Sequence, residues 1–145
     1  MTSVRHILVV KGNDVWKTTP DTTVYDALRL MADKDVGALL VMDNDQLVGI
    51  VSERDYARKI ILHGKSSRDT LVSDMMTRVV YTIHPAQTVQ ECMELMIDKH
   101  IRHLPVVEEG RVIGVISIGD VLKDIIYQQK VSIKSLESQL LGKKW

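Results

Sequence analysis

Apolar residues along this 145-residue chain follow two periods, and the same succession of periods occurs twice. After Thr23-Val24-Tyr25-Asp26 the apolar positions Val24, Ala27, Leu28 and Met31 are spaced by three and four, which is one face of a helix. Val89, Cys92, Met93, Met96 and Ile97 repeat that spacing after Thr88. Both helices begin with a capping signal, Thr23-x-x-Asp26 and Thr88-x-x-Glu91, with Pro20 and Pro85 three residues earlier. Each is followed by two short apolar runs, at 38–42 and 47–51 in one case and at 104–107 and 112–116 in the other. The gaps between the runs, Asp43-Asn44-Asp45-Gln46 and Glu108-Glu109-Gly110-Arg111, are rich in turn residues, so each pair of runs predicts a hairpin. A second helix is expected over 53–62 and over 118–128, and a strand before each first helix, over 15–18 and 79–82. The predicted unit is strand, helix, strand, strand, helix, and the fold class is α/β with small mixed sheets.

Shifting the chain against itself by 65 residues aligns 20–61 with 85–126 without a gap, and about a third of the paired residues are identical. Two tandem copies of one unit follow, each too small to bury its apolar face alone, so the two are expected to pack together. The predicted division is a leading segment at 1–13, repeat one at 14–63, a connector at 64–77, repeat two at 78–128 and a helical tail at 129–145. Residues 4–10 suit a short helix and 72–76 a helical turn. In the tail, Val131, Ile133, Leu136, Leu140 and Leu141 suit a helix docking on the body or on a partner chain, the alternative being a frayed, solvated end.

Nineteen Lys and Arg balance nineteen Asp and Glu. This neutrality argues against a nucleic-acid-binding surface, whose affinity rests on excess cationic charge. No apolar run reaches the roughly 18 residues that mark a membrane span. The single Cys92 cannot form an intrachain disulfide and no signal segment opens the chain, so a reducing cytoplasm is expected.

Both hairpins lead into one phrase, Gly49-Ile50-Val51-Ser52-Glu53-Arg54-Asp55 and Gly114-Val115-Ile116-Ser117-Ile118-Gly119-Asp120. Ser at a strand-to-helix junction caps the helix, and Asp in its first turn complements the helix dipole. Capping leaves the two strand glycines unexplained, since a glycine there marks close approach of a ligand or of other backbone. The same parts can hold a nucleotide: free N–H groups, Ser and Arg for a phosphate, and a carboxylate for ribose hydroxyls. Ser52 and Ser117 share no His at a common offset, so no nucleophile–base pair is expected. His100 and His103 lack the partners of a zinc site. The stretch starting at Asp43 has Val48 and Arg54 where a calcium loop needs Gly and Glu. Cys92, Met31, Met93 and Met96 are expected in the core.

The repeat, the two Gly-x-x-Ser-x-x-Asp phrases and the run Arg102-His103-Leu104-Pro105-Val106-Val107 together resemble the cystathionine beta-synthase (CBS) domain pair, or Bateman module, from about residue 15 to 126. The resemblance implies two CBS repeats with pseudo-twofold symmetry and adenine-nucleotide binding in the clefts between them. It implies a regulatory protein of the stand-alone, signal-transducing kind, not an enzyme, that passes ligand occupancy to an unknown partner protein by a change of conformation. Carried over by residue, Asp55 and Asp120 hold ribose; Ser52, Arg54, Arg102, His103, Ser117 and Gly119 lie at or near phosphate. The adenine region comprises Val79, Val80 and Tyr81 beside Asp55, Asp14, Val15 and Trp16 beside Asp120, and Gly37 and Ala38, which stand where copy two has Arg102 and His103. The ligand expected is AMP, ATP or NAD, with S-adenosylmethionine less favoured, and no catalytic cofactor or metal. The resemblance also implies a homodimer, formed through apolar second helices that carry Ile60, Ile61, Leu62, Leu122, Ile125 and Ile126. The competing reading is a structural or oligomerisation module whose clefts are vestigial.

Overall fold

A computed structural model describes residues 2–141 of the protein. The first half contains α1 (Val4–Lys11), β1 (Lys17–Thr18), α2 (Val24–Lys34), β2 (Ala38–Asp43), β3 (Gln46–Ser52), α3 (Glu53–Asp55) and α4 (Val72–Met75). The second contains α5 (Val89–Lys99), β4 (His103–Glu108), β5 (Arg111–Ser117) and α6 (Ile118–Leu141). Thr23 and Thr88 cap α2 and α5 by accepting from the backbone N–H groups of Asp26 and Glu91. Both helices end on a left-handed residue, Asp35 and His100, whose N–H returns to the last carbonyls. The hairpin turns place Asn44-Asp45 and Glu109-Gly110 at positive φ, the two-residue turn that matches strand twist.

The expected helix over 53–62 is realised irregularly: α3 continues as a π-turn at Tyr56–Ile60 and a 3-10 turn at Ile61–His63, and Gly64 at φ 70° ends it. In copy two no Gly or Pro stops the chain, so the second helix and the tail are one helix of 24 residues, about 36 Å long. The expected helical tail runs to 145, and its residues 142–145 lie outside the described residues.

The strands expected before the first helices are shorter than their apolar runs. β1 pairs parallel to β2 over two residues, and the Leu40 N–H adds a bond to the Trp16 carbonyl. Over 79–82 no strand forms. Ile83 alone bridges β4, bonding Pro105 O and Val107 N. The repeat supplies the reason: Pro105 stands where copy one has Leu40, and proline has no N–H to offer the Tyr81 carbonyl.

The segments outside the repeat are exchanged between its copies. α1 at the start of the chain packs on repeat two, with Val4 and Arg5 donating to Gln87 O and Pro85 O and Val89 donating to Thr2 O. α4 from the connector packs on repeat one, where Val72 donates to Thr22 O and Val24 to Thr70 O. Two cores result. One joins Val4, Ile7 and Leu8 to Val89, Cys92, Met96, Leu104, Val106 and Ile116. The other joins Val72, Met75 and Met76 to Val24, Met31, Leu39, Val41, Val51 and Ile60.

Candidate functional site

The repeated glycines serve this exchange. A Cβ on Gly114 would stand 2.6 Å from Cδ2 of Leu8, and one on Gly49 would stand 2.7 Å from Sδ of Met76 and 3.1 Å from the Thr77 carbonyl. Of the two causes the sequence allowed, close approach of the chain itself accounts for both positions. The phrase after each glycine forms a reciprocal cap. Asp55 N donates to Ser52 Oγ, while Ser52 N and Oγ both donate to Asp55 Oδ2 at 3.0 Å. Asp120 N donates to Ser117 Oγ and Ser117 N to Asp120 Oδ2 at 2.8 Å. Capping fixes each carboxylate at the mouth of a helix without using all its acceptor positions.

Each junction borders a cleft. The first, of about 370 Å³, is lined by Ser52, Glu53, Arg54, Asp55 and Arg58 from repeat one, by Thr77 and Val79, and by His100, Arg102 and His103 from repeat two. Arg102 and His103 of copy two therefore share this cleft with the carboxylate of copy one. The second, of about 360 Å³, is lined by Lys11, Gly12, Asp14, Trp16, Asp35, Ser117 and His103 among others. Asp120 is bonded to two of these residues, Lys11 and Ser117. Gly37 and Ala38 border both clefts. Three arginines converge on the first cleft against Glu53 and Asp55; in the second a single lysine faces Asp14 and Asp35.

Val15, Val80, Tyr81, Gly119 and Asp120, all named from sequence, are not among the residues lining either cleft; Asp120 stands behind Lys11 and Ser117, which do line the second. Tyr81 lies under the Lys99 ammonium at 5.3 Å, and its counterpart Trp16 under Lys34 at 4.6 Å. Without the strand expected at 79–82, Tyr81 is not carried to the cleft as Trp16 is. Sequence reading passed over Arg58, Thr77 and Lys11, and weighed His100 only as a metal ligand or a structural or phosphate-facing histidine. Arg58 was legible, one helical turn after Arg54; Thr77 and Lys11 lie outside the repeated phrase.

Burial holds the His103 imidazole below its ordinary value, with Lys11 and Arg102 adding to the effect and Asp120 opposing it. A neutral ring at pH 7 offers one N–H and one acceptor to the clefts it borders. Burial would raise Asp120, but the Lys11 ammonium and the Ser117 hydrogen bonds outweigh it and hold the carboxyl below its ordinary value. No cluster of metal-ligating side chains and no helix long and apolar enough to cross a membrane occurs among the described residues. A wider groove of about 900 Å³ lies between α6, the start of α5 and residues 2–6, away from both carboxylates.

The family model described as CBS domain matches residues 4–62 and 72–127. The chain is 41% identical over 136 residues to the mitochondrial CBS domain-containing protein CBSX3 of Arabidopsis thaliana, covering 90% of this chain and 66% of that protein. Its fold superposes with a TM-score of 0.86 on a protein with CBS domains from Burkholderia ambifaria MC40-6, proposed for signal transduction. That pair is 48% identical, over 88% of this chain and 96% of the other. A CBS-domain-containing protein from Agrobacterium tumefaciens gives 0.81 at 36% identity, over 85% and 98% of the two chains.

Proposed function

The chain belongs to the CBS domain family, with two CBS domains in tandem, and on that footing we propose that it is a regulatory module whose clefts take an adenine nucleotide. CBS domains generally bind adenosine-containing ligands, and CBS-pair proteins are typically regulatory and signal-transducing. The observation that carries the reading here is the convergence of Arg54, Arg58 and Arg102 on a cleft that also holds Asp55. The arginines suit a phosphate, the carboxylate suits ribose hydroxyls, and the cleft volume falls within the roughly 300–1,000 Å³ of small-molecule sites. AMP, ATP and NAD all present both groups, and S-adenosylmethionine, lacking phosphate, offers the arginines only its single carboxylate. Ligand regulates by binding two conformations unequally, and a partner protein reads the difference. The module carries out no catalysis in this reading, and the lone buried Cys92 fits a reducing compartment such as the cytoplasm.

The test is thermal unfolding with millimolar AMP, ATP, NAD, adenosine or S-adenosylmethionine, followed by calorimetry on Arg102→Ala. A raised midpoint with phosphorylated ligands is expected. Arg102→Ala should lower AMP affinity about tenfold, a charge-assisted bond lost, and leave adenosine within about twofold. Absence of any midpoint shift would leave the structural reading, with vestigial clefts, in its place.

Assembly as a homodimer is supported by α6. Leu122 and Ile126 are about half exposed, and Ile133, Leu136 and Leu140 continue their spacing of three and four along the tail. In copy one, Ile61 and Leu62 add exposed apolar surface. Ile60 and Ile125 do not belong to that face: Ile60 is fully buried in the core of repeat one, and Ile125 packs on the core of repeat two.

A further inference from the structure

Although the two copies share the Ser-x-x-Asp phrase, their carboxylates have different neighbours. Lys11, the last residue of α1, reaches across to repeat two, where its Nζ donates to Asp120 Oδ2 at 2.6 Å and to Val115 O at 2.9 Å. Gly12 at φ 94° stops the helix there, and its N–H returns to Leu8 O, so the lysine springs from a fixed point. Ser117 N fills the same Oδ2 atom at 2.8 Å. At the other carboxylate the nearest ammonium, Lys59, stands 3.3 Å from Oδ1, comes from the same helical stretch and also donates to Met75 O. α4 sits on repeat one as α1 sits on repeat two: Val4 and Leu8 correspond to Val72 and Met76, each pair meeting the same positions of its core. Carrying that correspondence on three residues places Val79 where Lys11 would stand, and Val79 is an exposed apolar residue.

Resting on the reading that both carboxylates are ribose acceptors, we propose that Lys11 is a specificity-determining residue. It competes with ribose hydroxyls for Asp120, so the Asp55 cleft takes nucleotide first and the Asp120 cleft only when the Lys11 contact is given up. Both an ammonium and a hydroxyl make charge-assisted bonds to an ionised carboxylate, but the ammonium also brings a full positive charge, and a hydroxyl brings a neutral donor. The side chains are partly shielded, at 33% exposure for Lys11 and 15% for Asp120, so water screens the pair less than at an open surface. Ligand in the second cleft thus bears directly on the end of α1, whose Leu8 is packed against Gly114 in the core of repeat two. The two occupancies carry different messages: filling the Asp55 cleft leaves α1 in place, and filling the Asp120 cleft frees its last turn.

Adenosine is the probe, because it has ribose and no phosphate for Lys11 to attract. Calorimetry with adenosine compares Asp55→Asn with Asp55→Asn/Lys11→Met, isolating the second cleft. The lysine-free variant should bind at least about fivefold tighter. Equal affinity overturns the competition, and weaker binding shows that Lys11 is itself a ligand contact. Hydrogen exchange of the Gly12 amide in the unmodified protein gives a readout independent of variant folding. It should accelerate as adenosine rises past the concentration that fills the first cleft; an unchanged or slower rate at saturation overturns the proposal. Failure of the underlying reading looks different, since then neither AMP nor adenosine binds the unmodified protein or Lys11→Met at millimolar concentration.

Discussion

Gly114→Ala tests whether the repeated glycine is there for the exchanged helix. Gly114 lies in β5 without a positive φ, so backbone strain does not oppose alanine. What opposes it is Leu8, whose Cδ2, Cδ1 and Cγ would lie 2.6, 3.1 and 3.4 Å from the new methyl group. Leu8 is 8% exposed and cannot swing into solvent without giving up its place in the core. Overpacking of this kind costs about 1–3 kcal/mol. For a chain near 150 residues that lowers the unfolding midpoint by about 2–4 °C per kcal/mol. The double variant makes the prediction sharp. Leu8→Ala alone should cost about 2–5 kcal/mol, as buried leucine truncations do, and it removes all three colliding atoms. Gly114→Ala on that background should therefore cost almost nothing, so the cycle should show about 1–3 kcal/mol of coupling. The pseudo-symmetric cycle of Gly49→Ala with Met76→Ala should recover less, because the Thr77 carbonyl at 3.1 Å stays, pinned by paired backbone bonds to Ile50. Denaturant unfolding of the four proteins in each cycle measures both numbers. Additive losses at Gly114 and Leu8 would refute the packing account and return the glycine to a ligand-approach role.

Burial pushes the Cys92 thiol up to about 11; native protein at pH 8 should react with a thiol reagent far more slowly than unfolded protein, and comparable rates would contradict its place in the core. Because burial depresses the folded-state value of His103, the unfolded chain binds the proton more readily. Stability from the neutral ring is then complete above about pH 6.5 and lost as pH falls through the folded value. His103→Gln should flatten unfolding free energy below about pH 6.5, and an unchanged profile from urea titrations would count against its burial. Light scattering at micromolar concentration should give about 33 kDa, twice the 16.4 kDa chain. Ile126→Lys should return the mass to that of one chain, and a monomeric starting protein would remove the dimer.

The duplicated phrase made much of the site legible in advance, because capping chemistry is local. Ser52 with Asp55 and Ser117 with Asp120 are three residues apart, and their hydrogen bonds need only a helix start. The apolar periods likewise placed α2, α5 and both hairpins, since side-chain direction repeats at 3.6 and 2 residues whatever the surroundings. The misses have equally local or equally distant causes. The strand expected at 79–82 fails because Pro105, far along the chain, withholds one donor, and Val80 and Tyr81 leave the cleft lining with it.

By itself, then, the sequence determined the unit, its duplication, the capped carboxylates and the charge that could meet a phosphate. All of these depend on neighbours within a few residues or on one unit repeated in register. Tertiary structure alone decided which copy each flanking segment would serve and which cations would face which carboxylate. Lys11 reaches Asp120 because repeat two takes its extra helix, α1, from the start of the chain, and Arg102 of repeat two lines the same cleft as Asp55 of repeat one. An apolar face records that it must be buried, but not against what, and the inequality of the two clefts follows from that choice.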